Sequence, residues 1–265
     1  MKKDFLETFR QKQLRKSQLK QLSMLEEIDR ICQKHYIPYW LDGGTLLGAV
    51  RHGGFIPWDD DIDIAMRKED MERFLSIAPR ELNDTLSIQS NTKSEPVTKI
   101  RDLNSFFVEP GDDLQKKQHR GIFIDIFPFV DYPTMPRKLV KHITLSISKS
   151  FAILHKKHYY SIRSFAEFFW FGIKYSIYNS LWVVICKIWP KDQYISNIVT
   201  NNGYGIMHQK NSIFPLGTIQ FEGKTFCAPN NPDAYLKDLY NNYMEIPPVE
   251  KQKSHSLFIL PELDE

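Results

Sequence analysis

Residues 59–64 read Asp-Asp-Asp-Ile-Asp-Ile, and no other stretch limits the fold as tightly. In an extended strand, side chains at i and i+2 share a face, with Cα atoms about 6–7 Å apart. Asp61 and Asp63 therefore point the same way, while Ile62 and Ile64 are directed into a core. Two carboxylates aimed at one place repel, and one must take a proton unless a cation lies between them. Mg²⁺ is the expected cation, because it is held by one or two carboxylates and completed by water and substrate phosphates. A solvated acidic turn would not be bracketed by Phe55, Ile56, Pro57 and Trp58 on one side and Ile62, Ile64 and Ala65 on the other.

Just upstream, Ile37–Leu41 reads as a short apolar strand, followed by Gly43-Gly44-Thr45 and then Leu46, Leu47, Ala49 and Val50 at helical spacing. A strand-to-helix turn of this kind lets backbone approach a ligand closely, and a helix N-terminus presents N–H groups to phosphate. A lone Gly-Gly is an ordinary turn. Beside paired aspartates, Gly43, Gly44 and Thr45 become a candidate phosphate cradle.

Residues 121–130 form a second informative run, Gly-Ile-Phe-Ile-Asp-Ile-Phe-Pro-Phe-Val, with one acid inside an apolar strand. Burying an unpaired carboxylate costs several kcal/mol, so Asp125 needs a partner. A metal shared with Asp61 and Asp63 is one; a salt bridge to Arg101 or Arg120 is the other. Lys99 and Arg101 flank Ile100 and share a strand face, turned either to solvent or to substrate phosphates.

Gly43-Gly44 followed by Asp61-Ile62-Asp63-Ile64 resembles the signature of the nucleotidyltransferase-fold superfamily. The longer string, Trp40-Leu41-Asp42-Gly43-Gly44-Thr45-Leu46-Leu47-Gly48 through Arg51-His52-Gly53 to Trp58-Asp59-Asp60-Asp61-Ile62-Asp63, resembles the LicD family, which includes the fukutin-related proteins. The likeness fades after about residue 130 and returns near the C-terminus. It implies an α+β fold: a nucleotidyltransferase-like mixed sheet flanked by helices, with a helical subdomain. It also implies metal-dependent transfer of phosphocholine, or a similar phospho-alcohol, from a CDP-activated donor such as CDP-choline, with release of CMP. The acceptor would be a hydroxyl of a cell-surface glycan precursor, lipid-linked or free, of the lipopolysaccharide or teichoic acid type.

On that likeness Asp61, Asp63 and Asp125 are the catalytic and metal-holding acids, with two Mg²⁺ ions expected and Mn²⁺ as the alternative. Gly43, Gly44 and Thr45 would bind the diphosphate, with Arg51, Lys99 and Arg101 compensating its charge. Trp40 and Trp58, with Tyr39, are candidates for a choline-binding aromatic face. His255, in the returning C-terminal region, is a further site candidate. Two other readings stay open: a nucleotidyltransferase that releases pyrophosphate, and a non-catalytic glycan-binding relative.

Composition narrows the partners. A formal charge of +3 over 265 residues is too weak to argue for nucleic acid. Three scattered cysteines give neither a zinc pattern nor a disulfide framework, and charged residues interrupt the N-terminus where a signal peptide would be apolar, so a cytoplasmic location is expected. Along the chain, residues 4–35 read as a helix carrying Leu19, Leu22, Leu25, Ile28 and Ile31, and residues 67–82 as another. Short strands are expected at 86–89, 97–101 and 106–108. Residues 1–135 are expected to form the catalytic core. Residues 136–205 would be a helical acceptor, lid or membrane-facing subdomain, and 206–265 a hairpin, helix and tail that pack back on the core. Residues 165–189 are too often interrupted by charge to span a bilayer, which leaves a buried lid or a peripheral patch on the inner membrane face. Phe221–Cys227 suggests a hairpin, and Asn231-Pro232 a helix start capped by Asn.

Overall fold

The computed structural model describes residues 2–89, 97–112, 119–156, 161–197, 206–252 and 254–263, with backbone alone for 2–7 and 10. In chain order the elements are α1 (Lys2–Lys34), β1 (Trp40–Leu41), α2 (Gly43–His52), β2 (Ile62–Arg67), α3 (Lys68–Glu81), β3 (Leu86–Gln89), β4 (Thr98–Asp102), β5 (Phe106–Val108) and β6 (Phe123–Tyr132). Then come α4 (Arg137–Leu154), α5 (Ile162–Ile188), β7 (Tyr194–Asn197), β8 (His208–Gln209), α6 (Lys210–Ile213), β9 (Gly217–Phe221), β10 (Lys224–Ala228), α7 (Pro232–Tyr240) and β11 (Phe258–Leu260). The fold is α+β with a curled mixed sheet. The chain divides into two compact units, residues 1–128 with 214–265, and residues 129–213.

In the first unit the strand order is β1-β2-β6-β4-β3. β1 runs antiparallel to β2, with Trp40 opposite Ala65 and Leu41 opposite Ile64, and Ile62 and Ile64 are fully buried as their alternation requires. β4 runs antiparallel to β6 and sets Lys99 directly opposite Asp125. Helix α1 buries Leu22, Leu25, Ile28 and Ile31, but Leu19 is 48% exposed, contrary to the sequence expectation. At 100° per residue a threefold spacing drifts about 60° per step, which carries Leu19 off the buried side. That side continues instead through Gln18 and Gln21, both buried.

Three devices bring distant chain to the acidic loop. Gln18 donates its amide to the Asp59 carbonyl (2.9 Å), and Gln21 donates to the carbonyls of Asp60 (2.8 Å) and Phe123 (3.1 Å). The β9–β10 hairpin turns at Glu222-Gly223, both with positive φ. Its Glu222 carboxylate accepts from the Phe55 N–H at 3.1 Å and pairs with Arg15 at 2.7 Å, while the Glu222 N–H donates to the Gly53 carbonyl at 2.9 Å. Finally β11 pairs with β5, Phe258 opposite Val108, and returns the tail to the loop.

The loop also meets α2 at close quarters. A Cβ on Gly48 would lie 2.5 Å from the Gly54 carbonyl oxygen and 3.1 Å from the Ile56 nitrogen, both backbone atoms. Gly48→Ala should therefore destabilise the protein by about 1–3 kcal/mol. A thermal midpoint unchanged in that variant would show that the loop yields freely.

In the second unit the last residues of β6 pair with β7, and β7 with β8, all antiparallel. Helices α4 and α5 enclose a core of Tyr132, Val140, Ile143, Ile147, Trp182 and Ile185. Among the described residues no helix is long and apolar enough to cross a membrane.

Candidate active site

Asp42 caps α2: its Oδ1 accepts from the Gly43 N–H at 2.7 Å and from the Tyr235 hydroxyl of α7 at 2.6 Å. Gly43 adopts φ +51°, and a Cβ there would stand 2.6 Å from Asp63 Oδ2. A Cβ on Gly44 would stand 2.6 Å from Asp59 Oδ2. The two glycines thus let two carboxylates lie against the first turn of α2, where free N–H groups and the helix dipole favour negative charge. The Thr45 hydroxyl accepts from the Asp63 N–H at 2.8 Å, and Asp42 N–H donates to the Asp63 carbonyl at 3.0 Å, so the turn is tied to the acid strand at both ends.

The carboxylates are crowded. Burial, and then the charges of Asp61, Asp125, Asp42 and Asp59, push the Asp63 carboxyl well above the usual range. Burial and the neighbouring Asp61 push Asp59 up to about 8. Burial pushes Asp125 up to about 6, opposed by Lys99, whose Nζ lies 3.0 Å from Asp125 Oδ2. The ion-pair partner of Asp125 is therefore Lys99, rather than the Arg101 or Arg120 of the salt-bridge alternative. Its other oxygen, Oδ1, is buried and has no hydrogen-bond partner among the described residues.

Asp60 behaves differently. Burial would raise it, but donations from His255 and Ser256 outweigh burial and hold it below the ordinary value. The backbone N–H groups of His255 and Ser256 reach its two oxygens at 3.0 and 2.7 Å. The His255 imidazole lies 3.2 Å from Asp61 Oδ2 and 3.5 Å from Asp60 Oδ1, and those two carboxylates push it up to about 11. Ligand atoms of Asp59, Asp60, Asp61 and His255 all lie within 4.8 Å of one another, a group able to hold a metal ion.

The other candidates are placed as follows. Arg51 donates to the carbonyls of Tyr243 and Glu245, and burial lowers its pKa although Asp59 is near. Lys99 and Arg101 both lie over the Phe123 ring, at 3.4 and 4.8 Å from its centroid, so neither faces open solvent. Arg101 is buried, donating to the Gly121 carbonyl at 2.8 Å and to Gln89. Tyr39 and Trp40 are core residues, 1% and 0% exposed. Trp58 is half-buried and meets His52 edge-on. Tyr240, which sequence reasoning missed, has its phenol raised by burial and by the charges of Asp63, Asp42, Asp59 and Asp61. Gln18 and Gln21 were also missed. Two amides in register with an apolar helix stripe were the signal.

The family described as the LicD/FKTN/FKRP nucleotidyltransferase domain matches residues 36–151. The chain carries a LicD-family domain. That LicD match covers β1 through most of α4, so Asp61, Asp63 and Asp125 lie inside it, whereas α1, α7 and the His255 tail lie outside. The lipopolysaccharide cholinephosphotransferase LicD of Haemophilus influenzae is 28% identical over 92% of this chain and 96% of its own length. Ribitol 5-phosphate transferase FKRP of mouse is 31% identical over 37% of this chain and 17% of its own. Its human counterpart is 57% identical over 35 residues, 13% of this chain and 7% of its own.

Proposed function

We propose that this LicD-family chain transfers phosphocholine, or a similar phospho-alcohol, from a CDP-activated donor to a hydroxyl of a cell-surface glycan precursor, releasing CMP. The observation that carries it is the electrostatic crowding of Asp63 by Asp61 and Asp125, with a buried Oδ1 on Asp125 that has no hydrogen-bond partner among the described residues; the ligand atoms that lie within 4.8 Å of one another are those of Asp59, Asp60, Asp61 and His255. An unsatisfied oxygen among like charges fits an Mg²⁺ site, with Asp61, Asp63 and Asp125 as holders. Bound there, the ion would neutralise diphosphate charge during transfer. The end-to-end likeness to the Haemophilus cholinephosphotransferase supports the phospho-alcohol and a lipopolysaccharide-type acceptor; a teichoic acid-type acceptor remains the second case.

The chain's own part is positioning, which dominates phosphoryl transfer. The acceptor oxygen attacks the phosphorus bearing the alcohol, the bridging P–O bond breaks, and CMP leaves. Asp125, with Oδ2 paired to Lys99 and Oδ1 the oxygen that would help hold the ion, keeps no free oxygen for a base, and the hydroxyl proton passes to water. Arg51 lies beside Asp59 at the donor side. A quaternary ammonium is held on an aromatic face; with Tyr39 and Trp40 enclosed in the core, Trp58 is the available ring.

The test is product analysis with labelled CDP-choline and, separately, CDP-ribitol. CMP is the expected product, and Asp61→Ala should lower its rate by about 10²–10³-fold or more, the cost of losing one preorganised charge. Pyrophosphate released from a nucleoside triphosphate would assign the nucleotidyltransferase reaction instead. Undiminished transfer by Asp61→Ala would remove the metal-site reading.

A further inference from the structure

The outward side of α5 is apolar and uncovered to a degree rare in soluble monomers. Phe165, Phe169, Trp170, Ile173, Ile177 and Val184 are between 43% and 75% exposed. Phe165, Phe169, Ile173 and Ile177 follow one another at intervals of four, Trp170 lies three before Ile173 and Val184 seven beyond Ile177, so they share a side of the helix. The opposite side is the one that is used: Trp182 and Ile185 are buried against Val140, Ile143 and Ile147 of α4, with Tyr175 and Tyr178 half-buried beside them. The acid of α5, Glu167, pairs with Arg163 at 3.1 Å. Lys187 falls on the apolar side, 18 residues or five turns beyond Phe169.

Charge identifies the occupant. Residues 129–213 contain eleven Lys and Arg against three Asp and Glu, whereas the rest of the chain contains 24 against 29. The uncovered aromatics therefore belong to the strongly basic unit. Exposed Trp170 and Trp189, at 64% and 42%, have the amphipathic rings that settle at the headgroup level of a bilayer. The helix is 27 residues long, about 40 Å, but Arg163, Glu167, Lys174 and Lys187 break its apolar character too often for it to span. A helix of this composition lies in the plane of the interface, with apolar rings among acyl chains and lysines at lipid phosphates.

We propose that α5 docks the second unit in the plane of an anionic lipid bilayer. The inference is independent of the reaction assigned above. It is tested by co-sedimenting the full-length protein with vesicles of phosphatidylcholine alone and of phosphatidylcholine with about 30% phosphatidylglycerol. Binding to the anionic vesicles should be at least about 10-fold tighter and should weaken in about 0.5 M salt, where lipid and lysine charges are screened. The double variant F169E/I173E, both positions exposed, should lose about 10-fold or more of that binding while its circular dichroism and thermal midpoint stay unchanged. Absence of sedimentation with the anionic vesicles would overturn the proposal. So would a concentration-dependent dimer that F169E/I173E splits, which would assign the surface to a second copy of the chain.

Discussion

Asp63→Asn should reduce transfer by about 10²–10³-fold or more and, in the metal-free protein, raise the thermal midpoint. Burial and the charges of Asp61, Asp125, Asp42 and Asp59 all disfavour the ionised form of Asp63. Asparagine has the same shape and fits the space against Gly43, where Asp63 Oδ2 would be 2.6 Å from a Cβ. It removes the need to protonate a buried carboxyl on folding and supplies N–H donors to its carboxylate neighbours. A gain of about 1 kcal/mol corresponds to roughly 2–4 °C for a chain of this size. Opposed changes in activity and stability mark a residue kept for chemistry at a cost to folding. Full activity with asparagine would mean that the charge of Asp63 takes no part in transfer; a lower midpoint would mean that its repulsion is already relieved.

Metal-free protein should lose stability as pH rises from about 5 to 8, and Mg²⁺ should cancel the loss. Asp125, Asp59 and Asp63 all bind a proton more tightly in the folded protein than in the unfolded chain. Folding therefore takes up protons, and stability falls with rising pH. For Asp125 the window runs from the ordinary value near 4 to about 6, and for Asp59 on to about 8. His255 acts in the same direction: its contribution is intact below about 6.5 and is lost as pH rises through about 11. Asp60 acts oppositely, but its stabilisation is lost only in acid, below the ordinary carboxylate value. One proton taken up gives about 1.4 kcal/mol per pH unit, or roughly 3–6 °C. A cation that binds ionised carboxylates gains affinity over the same range, so about 10 mM Mg²⁺ should flatten the profile. Coincident profiles with and without Mg²⁺, followed by scanning calorimetry, would exclude a divalent ion from this cluster.

What the sequence made legible was local. The alternation that gives β2, the Glu222-Gly223 turn and the Asn231-Pro232 helix start each depend on a few adjacent residues and form where the sequence places them, although Glu222 is held at a positive φ that glutamate seldom adopts. What escaped depends on chain far away. Nothing near Asp125 indicates Lys99, because their pairing follows from the β4–β6 register. Nothing near Asp60 indicates that its oxygens receive two N–H groups 195 and 196 residues later. The glycines at 43 and 44 were legible as sites of close approach, but the groups approaching them are the protein's own carboxylates. Periodicity alone leaves the stretch 165–189 between a buried lid and a surface patch, because it does not say whether an apolar side is covered; in the structure its outward side is exposed.

The clamp that Glu222 makes on residues 53–55 has a practical corollary. The stretch that matches the family, residues 36–151, lacks both partners of that clamp, Arg15 and Glu222, and also lacks Gln18, Gln21, Tyr235 and His255. An excised 36–151 fragment would keep the recognisable motif without the scaffolding that gives the motif its shape. Expression trials and truncation libraries should accordingly preserve both termini, and lesions far downstream, at the hairpin tip or the closing strand, should present as losses of catalysis rather than as harmless trimming.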